Sequence, residues 1–156
     1  MNLTLQLEHL GWININFTSD DKQFYIPGSF LTDFVYEFTD RISTLAEGAN
    51  EVIVRVQTEL GEYRIFVKQE TNICLFNVFE FDDNFSTYDL DEGVCVYEDK
   101  VELKSLMNII FREITKLKNL GNEEYFRLWG NHFPELPYKR LIRARDTIKH
   151  RTNNFE

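Results

Sequence analysis

The sequence predicts an α+β protein in which an antiparallel sheet of about five to seven strands packs against two main helices, with a helical C-terminal region. Three observations lead there. Apolar and polar residues alternate over residues 3–17 and again from residue 52 to residue 98, the period of strands with one face in water. Two longer stretches repeat apolar residues every three or four positions, the period of a core-facing helix. The turns between alternating stretches are short and rich in Gly, Asn and Asp, which favours antiparallel neighbours.

The strands open the chain. Leu3, Leu5 and Leu7 alternate with Asn2, Thr4 and Gln6; after Gly11, Ile13, Ile15 and Phe17 alternate with Asn14 and Asn16. Ser19–Lys22 reads as a turn into a short strand over Gln23–Ile26, and Pro27-Gly28 is expected to break the ladder. Ser29 is then a plausible helix cap, with Asp33 in the first turn. Phe30, Leu31, Phe34, Val35, Phe38, Ile42 and Leu45 form one helical stripe that ends near Gly48.

A meander follows. Val52, Val54 and Val56 point one way; Leu60-Gly61 returns the chain; Tyr63, Ile65 and Val67 continue the sheet. Ile73–Phe81 is a long apolar-rich strand, and Gly93 precedes a last strand over Val94–Glu98. Asp99 is expected to cap the second main helix, whose stripe is Leu103, Leu106, Met107, Ile110, Ile114 and Leu117. Gly121 ends it, Asn122 caps a shorter helix through Trp129, and a final helix starts near Glu135. The chain reads as a single α+β domain over 1–156: residues 1–98 mostly strands with one inserted helix, 99–150 helical, 151–156 a frayed tail.

Hydrophobic content of 43% with fourteen phenylalanines supports a sizeable core without metal or disulfide. Cys74 and Cys95 lie in strands and read as two buried reduced thiols. Met1–Glu8 lacks the basic start and apolar run of a signal peptide, and no stretch approaches the length of a membrane span, so a cytoplasmic location away from membranes is expected.

Net charge is −9, unevenly spread. Residues 1–136 carry 11 basic and 24 acidic side chains; residues 137–156 carry six and two. An acidic body argues against nucleic-acid binding, which needs concentrated positive charge. The basic segment Lys139–Arg145 is expected on a helix whose charges offset the acidic body or face solvent.

Catalytic patterns are lacking. His9, His132 and His150 stand far apart with no zinc-ligand spacing, and His132 reads as a packing residue beside Trp129 and Phe133. The acids do not match a calcium-loop spacing. Gly28-Ser29-Phe30 is no nucleophile elbow, and no glycine-rich phosphate loop is present. The expectation is therefore a non-enzyme without cofactor or metal.

One segment stands out. Between Glu80 and Asp99 there are eight acidic side chains and no lysine or arginine. Aromatic residues interrupt the run, so it combines negative charge with apolar anchors, a combination suited to a basic protein partner. The predicted contact residues are Asp82, Asp83, Phe85, Tyr88, Asp89, Asp91, Glu92 and Tyr97. The plainer alternative is a solvated loop whose aromatics tuck back into the fold.

The chain also resembles small acidic bacterial immunity-type proteins of polymorphic toxin systems. The resemblance rests on Gly11-Trp12 at an early strand, on the helix approach over Pro27–Leu45, and on Asn122–Pro134 before the final helix. It implies a protein that binds a cognate toxin and blocks it without a cofactor. The leading expectation is thus an immunity or inhibitor protein occluding a basic toxin, with a nuclease as one candidate. Its rivals are an interaction or assembly module without a toxin target, and an enzyme using acidic residues. The sequence leaves homodimerisation open.

Overall fold

The computed structural model describes residues 1–153. Strands β1 (Asn2–Glu8), β2 (Trp12–Ser19) and β3 (Lys22–Ser29) form one antiparallel sheet in the order β1-β2-β3. Helix α1 (Phe34–Ser43) and a 3-10 turn (Thr44–Glu47) lead to a second antiparallel sheet of β4 (Glu51–Gln57), β5 (Glu62–Glu70), β6 (Ile73–Phe81) and β7 (Val94–Glu102), paired in chain order. Helices α2 (Leu103–Lys118), α3 (Asn122–Trp129) and α4 (Glu135–Asn153) complete the described chain. Residues 154–156 of the expected tail lie outside the described residues, and α4 runs past its expected end.

The expected sheet is therefore two sheets of three and four strands. They share a core without sharing a ladder. Gly28 near the end of β3 lies against Val56 of β4, Phe24 meets Tyr63 of β5, and Lys22 reaches the Glu98 carbonyl of β7. Points along β3 thus meet β4, β5 and β7 in turn, so β3 runs across that sheet instead of along it. Contact this close needs glycine at 28, where a Cβ would stand 2.9 Å from Val56 and from Ile13. Phe17 fills the space between the sheets, its ring centroid 5.5 Å from those of Phe76 and Tyr97.

Helices close the rest of the core. The buried cluster runs from Leu3 of β1 to Ile148 of α4 and includes Phe34, Phe38, Leu106, Ile110, Tyr125 and Trp129. α1 packs on β4 and α4, and α2 packs on β1 and α4. α2 also satisfies the open edge of β1: the buried Glu113 carboxylate accepts the Leu5 amide at 2.9 Å, and Arg112 donates to the Leu3 carbonyl at 3.0 Å. On the far side Arg41 of α1 donates to the Ile53 carbonyl of β4 at 2.9 Å. Side chains take up strand-edge groups that would otherwise invite another strand.

Several local expectations change. Pro27 and Gly28 stay in the ladder, opposite Asn14 and Ile13; β3 is an edge strand, where a proline need not donate. Ser29 ends β3 and caps no helix. The cap is Asp33, which accepts the Tyr36 amide at 3.3 Å. Phe30 and Leu31 consequently leave the helical stripe and are exposed. Asp99 sits within β7, accepting the Tyr97 hydroxyl at 3.1 Å and the Lys100 amide at 2.8 Å, and α2 begins four residues later at Leu103. Gly121, with φ 88°, occupies the cap position of α3 that was expected for Asn122.

The basic segment lies on α4. Arg140 pairs with Asp40 at 3.0 Å and with Glu47 at 2.5 Å, tying α4 to the acidic side of α1 and the 3-10 turn. Those contacts hold the Glu47 carboxyl below the usual carboxylate range, chiefly through the Arg140 hydrogen bonds. No helix among the described residues is long and apolar enough to cross a membrane.

Candidate protein-binding surface

Strand alternation puts Gln57, Glu62 and Phe81 in one row on the outer face of the second sheet, with Arg55, Arg64, Phe79 and Cys95 in the next. Polar side chains on an outer face ordinarily meet water. Here Gln57, Glu62 and Arg64 are buried, because the 82–93 connection between β6 and β7 folds back over that end of the sheet.

Arg64 is the centre of the arrangement. Its Nε donates to Glu62 Oε2 at 2.8 Å, and its Nη atoms donate to the Tyr88 and Ser86 carbonyls at 2.7 and 3.1 Å. Arg55 donates to the same Ser86 carbonyl at 2.7 Å. Glu62 Oε1 accepts from Gln57 Nε2 at 2.6 Å, while Gln57 Oε1 accepts the Phe85 amide at 3.1 Å. Asn84 fastens the loop to the β4–β5 turn by donating to the Thr58 and Gly61 carbonyls at 2.8 and 2.7 Å. The guanidinium of Arg64 lies 4.0 Å from the Phe81 ring centroid, and Tyr88 stacks on that ring. Gly93 passes beneath it, where a Cβ would be 2.6 Å from Phe81 Cζ.

A buried charged network thus dictates the course of an acidic loop. Asp82 and Asp83 emerge from β6 and are exposed, Asp83 accepting the Tyr88 hydroxyl at 3.4 Å. Phe85 is 56% and Tyr88 46% exposed. Phe85 has a φ of 50°, a left-handed conformation that costs a non-glycine residue on the order of 1 kcal/mol. Asp89, Asp91 and Glu92 are exposed at a 3-10 turn over Leu90–Glu92, and Glu92 turns back to accept the Asp89 amide at 2.6 Å. Asp82 and Asp91 make no side-chain hydrogen bond or ion pair among the described residues, so within the loop they are the acids without a structural role.

Tyr97 does not belong to this surface. It is 4% exposed and packed between Phe17 and Phe76, and burial, reinforced by the Asp99 hydrogen bond, pushes its hydroxyl up to about 12. Seven of the eight predicted contact residues lie on the loop and are exposed. Sequence reading missed Leu60, 86% exposed on the β4–β5 turn that Asn84 grips. It also missed Arg64, Glu62 and Gln57. Their signal was charge and amide groups on strands otherwise rich in Val and Ile.

Cys74 is buried and Cys95 exposed, so only one of the two expected buried thiols is one. Tyr97 pairs with Val78 but Cys95 pairs with Phe79, so Val96 is an extra residue that turns Cys95 outward.

The three segments on which the expected resemblance to immunity-type proteins rests meet at another corner. The Gly11 amide donates to the Leu128 carbonyl at 2.9 Å, and Trp129 Nε1 donates to Asp33 Oδ1 at 2.9 Å. His132 stacks on Phe126 with ring centroids 4.9 Å apart. These contacts join α3 to the first sheet and to the start of α1. Among the described residues, no group of three or more His, Cys, Asp or Glu is arranged to hold a metal ion. Comparison with protein-family models, with curated proteins and with solved structures returns no match.

Proposed function

We propose that this chain is a non-catalytic binding protein of the immunity or inhibitor kind, which captures and occludes a basic protein toxin through the 82–93 loop. The supporting observation is that the buried Arg64–Glu62 pair holds the loop backbone in place while Leu60, Phe85 and Tyr88 face outward among unpaired carboxylates. Preordering removes much of the entropic cost of binding. The aromatic side chains would supply the desolvated contacts, and Asp82, Asp83 and Asp91 would steer a basic partner and pair with its lysines or arginines. Inhibition then follows from blockade and needs no bond chemistry.

The test is co-expression with a candidate basic effector, reading cell survival and complex formation. The wild-type chain should protect cells and co-purify with the effector. Asp82→Lys/Asp91→Lys should slow association roughly tenfold or more and flatten its salt dependence, with the melting temperature unchanged. Absence of both rescue and complex, with both proteins folded, rules out that pairing. Unchanged binding by the double variant moves the contact away from the loop.

A further inference from the structure

The loop covers only one end of the second sheet's outer face. Beyond the Arg55–Arg64–Phe79–Cys95 row, the register sets Ile53, Phe66, Asn77 and Glu98 in one row. Glu51, Lys68, Leu75 and Lys100 form the next, and Glu70, Ile73 and Glu102 the last. An antiparallel sheet with one wet face keeps its apolar side chains inside. Ile53, Phe66, Ile73, Leu75 and Phe79 break that pattern. All five are partly exposed, and none belongs to the core cluster or to the half-buried side chains packed against it. Ile73 and Leu75 lie with Lys100 and Glu102 in a shallow hollow of about 550 Å³.

Charge on this face is ordered by row. Lys68 and Lys100 flank Leu75, whereas Glu70 and Glu102 flank Ile73. All four charged side chains are exposed, and none forms an ion pair among the described residues. Consider a twofold axis in the plane of the face, perpendicular to the strands and between these two rows. It sets each lysine of one copy opposite a glutamate of the other, and Leu75 opposite Ile73. The face is therefore complementary to itself, as an isologous contact requires. Copies of a chain with net charge −9 repel unless opposite charges meet where they touch; Lys68 and Lys100 cancel Glu70 and Glu102, leaving Glu51 as the one uncompensated charge of the two rows.

Lateral pairing through β7 is obstructed. Lys22 occupies the Glu98 carbonyl, and Asp99 Oδ1 takes the Lys100 amide at 2.8 Å. Contact through the face remains.

We infer that the outer face around Ile73 and Leu75 is a homodimer contact, occupied by a second copy of this chain. The 82–93 loop lies at the opposite end of the face and stays uncovered in that pairing, so the inference is independent of toxin binding.

Sedimentation velocity of the full chain over a concentration series tests it, the expected result being a monomer–dimer equilibrium. Lys68→Glu/Lys100→Glu and Glu70→Lys/Glu102→Lys each make the charges at positions 68, 70, 100 and 102 alike. Each should weaken self-association roughly tenfold or more. An equimolar mixture of the two should recover a mixed dimer at least as tight as the wild type, which loss of folding could not produce. A wild-type chain that stays monomeric up to about 1 mM overturns the proposal. So do double variants that dimerise like the wild type, or a mixture that forms no mixed dimer.

Discussion

Arg64 and Glu62 stand two residues apart on β5 and pair at 2.8 Å with both side chains almost wholly buried. A buried ion pair is weak evidence of stability, because desolvation offsets most of the attraction. Its consequence here is positional. The remaining donors of Arg64 take the Ser86 and Tyr88 carbonyls, which places Phe85 and Tyr88 at the surface.

Arg64→Met should therefore destabilise the fold by about 3–5 kcal/mol, since it leaves Glu62 charged and without its main partner. Urea unfolding measures that cost. Arg64→Lys keeps the charge but not the planar fork, and should speed proteolytic cleavage within residues 82–93 more than elsewhere. Wild-type resistance to cleavage in Arg64→Lys would show that the loop is ordered by its own turns.

Glu113 makes stability depend on pH. Burial alone would raise its carboxyl, but hydrogen bonds from Lys116, the Leu5 amide and Arg112 together outweigh burial and hold it below its ordinary value of 4.5. The folded state thus favours the carboxylate. Its contribution is complete above pH 4.5, the value expected when unfolded, and is lost as pH falls through the lower folded value. Glu113→Gln should cost about 1–3 kcal/mol near neutrality. The gap from wild type should narrow steadily as denaturation is measured at more acidic pH. A gap that stays constant down to acid would show that Glu113 acts by packing alone.

Thiol reactivity should separate the two cysteines. Cys95 is exposed, whereas Cys74 is buried and burial pushes its thiol up to about 11. A chromogenic disulfide reagent should modify one thiol in the native protein and both after denaturation. Mass mapping should place the native adduct on Cys95. Equal native reactivity would mean that β6 opens readily.

The strands and helical stripes were legible because their periods are local. Leu3, Leu5 and Leu7, and likewise Leu106, Met107 and Ile110, are buried as their spacing requires. Boundaries were less legible. Ser29 and Asp33 are both good caps by residue type, and only the continued pairing of β3 through Ser29 with Trp12 decides between them. Cys95 follows the inward parity of Tyr97 in a regular strand; one inserted residue at Val96 reverses it, and no local pattern announces the insertion.

By itself the sequence determined the α+β class, the helical faces and the acidic loop, because periodicity, turn chemistry and charge act over a few residues. Tertiary structure decided the split into two sheets, the burial of Tyr97 and Arg64, and the separation of the second sheet's outer face into a loop-covered end and an open end. Those outcomes depend on contacts between residues distant in the chain: Gly28 against Val56, Phe17 against Tyr97, and Arg64 beneath Ser86 and Tyr88. Close packing and the satisfaction of buried polar groups select such contacts, and both are properties of the assembled fold.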